Sequence, residues 1–216
     1  MNTLGTEEFK LQNLCPYPSI CIFGKRASGK SLLVKSILDH YKNTRKVVVS
    51  PIEKFNPFYS RYFDDVQVHY EWSESLIKQL LVEQNSEEKE LVIVFDDCLF
   101  SEESLDSNIF KELLLNGKAY KITLIMAMQS CFGFKSCCRN KINYVFSLKN
   151  SITREQNALW QYYFNTITTF DEFKIIFTEL TEDYSSIVID NIHKNDTIFH
   201  YKVKREEKQS DEACNE

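Results

Sequence analysis

The residues from Gly24 to Ser31 have the types and the spacing of a phosphate-binding loop, G-x-x-x-x-G-K-S. The loop follows an apolar run that predicts a strand and precedes a run that predicts a helix. Glycines allow backbone N–H groups to curve around a phosphate, and the N-terminus of the next helix adds positive potential. In such a loop Lys30 reaches the β- and γ-phosphates and Ser31 ligates Mg²⁺. The predicted nucleotide-binding residues are Gly24, Lys25, Arg26, Ala27, Ser28, Gly29, Lys30, Ser31 and Leu32. An ordinary Gly/Ser turn is the alternative interpretation.

Two adjacent carboxylates, Asp96 and Asp97, follow the apolar run from Leu91 to Phe95. This is the form of a Walker B element, and the carboxyl end of a strand is where an open α/β sheet binds its ligand. Neighbouring side chains on a strand point to opposite sides. We therefore predict that Asp96 holds Mg²⁺, through a water, and that Asp97 orients or deprotonates the attacking water. A helix N-cap or a solvated turn is the alternative.

Gln129 and Arg139 are two further candidates for catalytic roles. Gln129 follows the predicted strand Ile122–Met128, where an amide can contact the γ-phosphate and the catalytic water together. If that strand lies between the other two in space, Gln129 lies between the loop and the carboxylates. Arg139 could reach the γ-phosphate of a neighbouring subunit in a ring, as an arginine finger. The alternatives are a surface amide and a solvated surface arginine.

The length of 216 residues fits one α/β domain, predicted over 1–204, followed by a polar, acidic tail at 205–216. No apolar stretch approaches the roughly 18 residues that span a bilayer, so we expect no membrane insertion. Seven cysteines are scattered without paired C-x-x-C motifs, which favours reduced thiols over zinc ligands or disulfides.

Short apolar runs alternate with segments of helical period, which predicts an α/β fold with a mainly parallel sheet and helices on both faces. Together with the phosphate loop, this predicts a P-loop NTPase fold of the RecA/ASCE type. Two later helices are predicted to begin at capping boxes, Thr153 with Gln156 and Thr169 with Glu172. A C-terminal β-hairpin is predicted around the turn signal Asn195-Asp196. The predicted strands are 19–23, 46–50, 66–70, 91–95, 122–128, 144–148, 185–189 and 198–203, and the helices 31–41, 74–84, 107–116, 153–164 and 169–180.

Charge is distributed unevenly along the chain, although the net charge is only -5. Residues 111–154 contain eight Lys and Arg residues and one acidic residue, Glu112. Residues 71–106 contain eleven acidic residues and only two lysines. The basic segment indicates either a face that binds nucleic-acid phosphates or ordinary solvated helix ends, and charge alone does not separate the two.

Taken together, these motifs resemble those of the genome-packaging ATPases of nucleocytoplasmic large DNA viruses, within the HerA/FtsK superfamily. The resemblance extends from about Ile20 to Tyr201. Beyond the phosphate loop it rests on Ser50-Pro51-Ile52-Glu53-Lys54, Asn56-Pro57-Phe58-Tyr59, Phe95-Asp96-Asp97, Asn116-Gly117-Lys118-Ala119-Tyr120-Lys121-Ile122-Thr123, Met128-Gln129 and Arg139-Asn140-Lys141-Ile142-Asn143-Tyr144-Val145-Phe146.

The resemblance implies a motor that binds ATP and Mg²⁺, assembles as a homo-oligomeric ring, a hexamer, and drives double-stranded DNA into a preformed capsid. It implies a capsid or portal component as a further partner, and the viral factory of the host cytoplasm and the virion as locations. Lys30, Ser31, Asp96, Asp97, Gln129 and Arg139 match the family's functional positions. Lys118, Lys121, Lys135 and Lys141 are candidates to line the DNA channel or its mouth.

Three other functions stay open at this point. A DNA translocase or helicase of the same superfamily shares the catalytic residues. A nucleotide kinase shares the phosphate loop but needs an acceptor pocket and usually an arginine-rich lid, which the sequence does not show. A non-catalytic nucleotide switch is the third, although Lys30, Asp96 and Asp97 are all present.

Overall fold

A computed structural model of the chain describes residues 6–86, 89–98, 102–193 and 197–204. The nine strands described form one sheet in the order β1-β9-β8-β7-β2-β6-β5-β3-β4. They are β1 (Thr6–Glu8), β2 (Ser19–Phe23), β3 (Arg45–Val49), β4 (Val66–His69), β5 (Leu91–Asp96), β6 (Ile122–Met128), β7 (Tyr144–Leu148), β8 (Ser185–Asp190) and β9 (Ile198–Lys202). The predicted tail at 205–216 and the predicted turn at Asn195-Asp196 lie outside the described residues.

Eight α-helices and three other helical segments connect the described strands. The α-helices are α1 (Lys30–His40), α2 (Tyr59–Tyr62), α3 (Glu74–Ser86), α4 (Glu102–Asp106), α5 (Asn108–Asn116), α6 (Ser136–Arg139), α7 (Thr153–Leu159) and α8 (Phe170–Leu180). Short 3₁₀-helices span Leu11–Asn13 and Pro51–Lys54, and a π-helical segment, Trp160–Phe164, continues α7. Within the described ranges no helix has both the length and the apolar character needed to cross a membrane.

The centre of the sheet is parallel, as predicted. Strand β6 pairs with β2 on one side and with β5 on the other, all in the same direction. Residues of these strands are buried on both faces, which explains why each reads as a continuous apolar run. Ile20 and Ile22 pack with α1 on one face, while Cys21 and Phe23 pack into the core on the other.

The two C-terminal strands confirm the predicted hairpin. Strand β8 is antiparallel to both β7 and β9. Strand β1 then extends the edge, parallel to β9. The sequence analysis missed β1 because its three residues, Thr6 to Glu8, are all exposed and show no apolar alternation.

Only one of the two predicted capping boxes forms. At Thr169 the hydroxyl accepts from the Glu172 N–H, and the Glu172 carboxylate accepts from the Thr169 N–H at 3.0 Å. The box predicted at Thr153 is wrong, because α7 already includes Thr153 and its N-cap, Ile152, makes no side-chain cap. The side chain of Gln156 instead donates to the Asn150 carbonyl at 2.7 Å.

Thr169→Ala should therefore lower the free energy of unfolding by about 1 kcal/mol, because the Glu172 N–H at the start of α8 loses the hydroxyl that accepts its hydrogen bond. Thr153→Ala is the matched control and should change it by less than about 0.5 kcal/mol. Urea denaturation of the two variants and the parent measures both values. Equal losses in the two variants would contradict the assignment of the caps.

Candidate nucleotide-binding site

The register of the sheet brings the predicted site residues to one edge. Phe23 lies opposite Met128, and Asp96 lies opposite Ala127. The phosphate loop, Gln129 and Asp97 therefore leave three adjacent strands at the same level. Strand β6 lies between β2 and β5, which meets the condition under which Gln129 was expected to lie between the loop and the carboxylates.

The loop between β2 and α1 has the backbone of a phosphate cradle. Ala27 and Gly29 adopt positive φ angles of 61° and 100°. Gly29 is also the N-cap of α1, so the first N–H groups of the helix lack helical acceptors. A Cβ at Gly29 would come within 2.6 Å of the Tyr184 ring, so both the φ angle and the close approach require glycine.

The ammonium group of Lys30 connects the loop to the carboxylates. The side chain is buried, and Nζ donates to the carbonyls of Gly24 and Lys25 at 3.0 and 3.1 Å. The same Nζ lies 3.4 Å from Asp97 Oδ2. A cation held between the loop and an acidic side chain is placed to bind a phosphate that enters the loop.

The carboxylate of Asp96 is buried at the end of β5 and accepts two hydrogen bonds on one oxygen. Ser31 Oγ donates to Oδ2 at 3.2 Å, and Tyr59 Oη donates to it at 2.7 Å. Burial raises the pKa of Asp96, and the nearby negative charge of Asp97 raises it further.

These residues fit a Mg²⁺ ion. A serine hydroxyl and a carboxylate, both hard oxygen ligands, lie side by side at Ser31 and Asp96. Within the described part of the chain, Ser28 Oγ and Asp97 Oδ1 are buried without a hydrogen-bond partner. Buried polar groups of this kind are uncommon and suit a site that is completed by a ligand.

The raised pKa of Asp96 predicts that this carboxylate destabilises the nucleotide-free fold. A folded-state pKa above that of the unfolded chain means that stability is greatest when the group is protonated and falls as pH rises through the folded pKa. Asp96→Asn should therefore raise the thermal midpoint in EDTA at pH 7, by about 2–4 °C for each kcal/mol gained. The gain should shrink at acidic pH.

The exposed Asp64→Asn serves as the control and should leave the midpoint unchanged at both pH values. Differential scanning calorimetry at pH 7 and near pH 5 measures the comparison. A lower midpoint for Asp96→Asn at pH 7 would contradict the prediction.

Asp97 and Gln129 are in direct contact. Gln129 Nε2 donates to Asp97 Oδ2 at 3.2 Å, on the oxygen that also faces Lys30. Asp97 has a left-handed backbone, with φ of 48°, and its N–H donates to the Ala127 carbonyl. A non-glycine residue held in this conformation is strained, which is common at functional sites. The conformation turns Asp97 away from the line of the strand, beside the phosphate loop.

The structure places the other predicted residues around this centre in different ways. Arg26 and Ala27 are exposed at the tip of the loop, and Leu32 lies in the first turn of α1. Lys25 Nζ donates to Ser151 Oγ at 2.7 Å. Arg139 lies at the end of α6, where its guanidinium stacks on the Tyr162 ring at 4.0 Å and donates to the Phe134 carbonyl. Its action on a neighbouring subunit stays a prediction.

Sequence reasoning assigned no role to three residues at the site. Tyr59 contacts Asp96, the buried carboxylate of Glu53 accepts from the Tyr59 N–H, and Tyr184 packs on Gly29. Tyr59 and Glu53 belong to motifs that carried the family resemblance, which was the available signal. No sequence signal pointed to Tyr184, because its position at the site depends on the start of β8 lying beside the phosphate loop.

The four lysines proposed as a channel lining are not all equivalent. Lys121 immediately precedes β6, Lys118 lies in the turn before it, and Lys141 precedes β7. These three lie at the amino edge of the sheet, opposite the candidate nucleotide site. Lys135 is engaged elsewhere, because its ammonium pairs with Asp106 at 2.7 Å.

Comparison with known sequences finds relatives in large DNA viruses. No protein-family model matches the chain. An uncharacterized protein of Acanthamoeba polyphaga mimivirus is 28% identical over an alignment of 223 positions, which covers 94% of this chain and 78% of that protein. An uncharacterized protein of Invertebrate iridescent virus 6 is 27% identical, covering 85% of this chain and 76% of that protein. Both viruses belong to the nucleocytoplasmic large DNA viruses, the group indicated by the motifs.

Comparison with solved structures confirms the P-loop fold. B204, the DNA-packaging ATPase of Sulfolobus turreted icosahedral virus, superimposes with a TM-score of 0.68 at 14% identity, covering 89% of this chain and all of B204. B204 of Sulfolobus turreted icosahedral virus 2, in complex with ATP-γ-S, gives a TM-score of 0.66 at 15% identity, covering 88% of this chain and 98% of that one. The chain therefore has the fold of a viral genome-packaging NTPase.

Proposed function

We propose that this chain is an ATP-hydrolysing motor that moves double-stranded viral DNA into a preformed capsid. The proposal of ATP hydrolysis rests on the continuous series of contacts from Lys30 through Asp97 to Gln129. This series of contacts joins the Lys30 ammonium at the phosphate loop, the Asp97 carboxylate after β5 and the Gln129 amide after β6. Strand β6 lies between β2, which leads into the loop, and β5. This arrangement suits the activation of a water molecule next to a γ-phosphate.

Each side chain then has a role that its position allows. The loop N–H groups and Lys30 bind the phosphates, and Asp97 orients the attacking water and accepts its proton. Gln129 donates to Asp97 and so fixes the direction of that carboxylate. Ser31 and Asp96 would hold Mg²⁺, which, when bound, supplies positive charge to the β- and γ-phosphates.

The proposed coupling to DNA is supported by the fold shared with B204 and by relatives in large DNA viruses. We propose that residues 1–204 form one ATPase domain, that copies of it form a hexameric ring and that Arg139 acts on the nucleotide of the neighbouring subunit. A capsid or portal component would anchor the ring, in the viral factory of the host cytoplasm and in the virion.

The first test is phosphate release by the purified protein with ATP and Mg²⁺, with and without long double-stranded DNA. Turnover that rises with DNA would support a DNA-coupled motor. Turnover indifferent to DNA would contradict the coupling, and phosphate transfer to a nucleotide acceptor instead of water would favour a kinase. Strand separation without a capsid would favour a helicase over a packaging motor.

We propose that the lysines at the amino edge of the sheet contact the DNA backbone. Lys118 and Lys141 are both exposed there. The double variant Lys118→Ser, Lys141→Ser should keep its DNA-free turnover and lose DNA affinity, with the slope of log affinity against log salt reduced by about 2. Lys135→Ser is the matched control, because Lys135 is exposed but pairs with Asp106. Equal effects of the two variants in a salt titration would contradict the assignment.

A further inference from the structure

A buried tyrosine contacts the carboxylate proposed to hold Mg²⁺. Tyr59 is fully buried, and its hydroxyl donates to Asp96 Oδ2 at 2.7 Å. This bond is shorter than the one that Ser31 makes to the same oxygen, at 3.2 Å. Tyr59 comes from the segment between β3 and β4, outside the phosphate loop and the strand that carries Asp96.

The position of Tyr59 is itself fixed by a buried carboxylate. Glu53, which is 3% exposed, accepts from the N–H groups of Phe58 and Tyr59 at 2.5 and 2.7 Å. Its second oxygen accepts from Ser60 Oγ at 3.1 Å. Three donors satisfy one buried charge, and two of them are backbone groups at the start of α2. Glu53 therefore sets where α2 begins and where the Tyr59 ring enters the core.

A carboxylate needs such support because its terminal torsion is broad and roughly two-fold. Asp96 sits at the end of its strand, where the backbone fixes Cβ but leaves the two oxygens free to turn. Ser31 cannot fix them alone, because its hydroxyl is itself proposed to bind the metal. A hydrogen bond from a rigid, buried ring meets this need, as outer-shell partners do at metal sites generally.

We propose that Tyr59 is a positioning residue, which orients the Asp96 carboxylate toward the Mg²⁺ of the bound nucleotide, and that Glu53 holds Tyr59 in place. This role rests on the proposed nucleotide site and extends it to α2, which lies outside the phosphate loop and β5. Tyr59→Phe removes the one hydroxyl and keeps the ring that fills the core.

The test compares binding of a fluorescent ADP analogue, N-methylanthraniloyl-ADP, in EDTA and across a Mg²⁺ titration. The parent should bind in both conditions and more tightly with Mg²⁺. Tyr59→Phe should bind equally well in EDTA, while the Mg²⁺ concentration at half-effect rises about 10- to 100-fold. Tyr62→Phe is the matched control, because Tyr62 lies in the same short helix and is 47% exposed. It should behave as the parent.

Other outcomes would overturn the role. A Tyr59→Phe variant with the parental Mg²⁺ dependence would show that the hydroxyl does not position Asp96. Equal weakening in EDTA and in Mg²⁺ would show that Tyr59 only supports the fold. Failure of the parent itself to bind the analogue would overturn the nucleotide site, and is thereby distinguished from a failure of Tyr59 alone.

Glu53→Gln tests the second half of the proposal. Its amide retains one acceptor oxygen for the backbone N–H groups of α2 but loses the charge that strengthens those bonds. We expect the Mg²⁺ half-effect to shift in the same direction as in Tyr59→Phe, and by less. An unchanged titration in Glu53→Gln, beside a shifted one in Tyr59→Phe, would overturn the role of Glu53 and leave that of Tyr59.

Discussion

Lys30→Ala should lower steady-state ATP turnover by at least about 100-fold, because it removes the cation that stabilises the phosphates as charge develops. The contacts of Lys30, and the positions of the two other basic residues of the loop, show why neither of them would replace its ammonium group. Lys30 Nζ lies within 3.1 Å of two loop carbonyls and 3.4 Å from Asp97 Oδ2. Arg26 is exposed at the tip of the loop, and the Lys25 ammonium donates a hydrogen bond to Ser151.

Lys35→Ala is the matched control for this variant. Lys35 lies on the same helix, but its ammonium pairs with Asp39 at 3.1 Å and lies over the Tyr62 ring. We expect parental turnover for the control, measured as phosphate release with the melting temperature of each variant checked alongside. A Lys30→Ala variant that folds and hydrolyses ATP at the parental rate would contradict the proposed site.

The central strands and the positions of the site residues could be predicted from the sequence because both follow from local patterns. A strand buried on both faces must be apolar throughout, so β2, β5 and β6 were visible as runs. Asp96, Asp97 and Gln129 come directly after such runs, and parallel strands end at one edge. That these three residues meet also required β6 to lie between β2 and β5, which the sequence analysis stated only as a condition.

The contacts that hold Asp96 in place could not be predicted in the same way. Tyr59 reaches Asp96 across 37 positions of sequence, from a helix of only four residues. Such a helix has no apolar period to detect, and the bonds to Glu53 that place its first residue are visible only in three dimensions. The same limit applies to Tyr184, which meets Gly29 through the sheet order rather than through any motif.

Capping and charge show a second kind of limit. Thr153 and Thr169 have the same local pattern, yet only Thr169 precedes its helix, because α7 begins one residue earlier than a cap at Thr153 requires. Among the basic residues, Lys118 and Lys135 were grouped by sequence alone. An ion pair with Asp106 distinguishes Lys135, and such a partner is visible only in three dimensions.

Asp97→Asn should retain nucleotide binding and lose about 10²- to 10⁴-fold in hydrolysis, the range for removing a general base. Binding should survive because Lys30 keeps its two carbonyl partners when Asp97 loses its charge. Asparagine also keeps an oxygen that can accept from Gln129, so the side chain can stay in place. What it loses is the ability to accept a proton from water.

Single-turnover hydrolysis and binding of a fluorescent ATP analogue separate these two effects for Asp97→Asn. Gln129→Ala provides the comparison, because it removes the amide that donates to Asp97 but leaves the carboxylate as a base. We expect a smaller loss of rate in Gln129→Ala than in Asp97→Asn, with binding intact in both. Normal turnover by Asp97→Asn would show that the water is activated by another group. Asp96 could not take over that task without giving up its position beside Ser31 and Tyr59, so the two adjacent carboxylates should not substitute for one another.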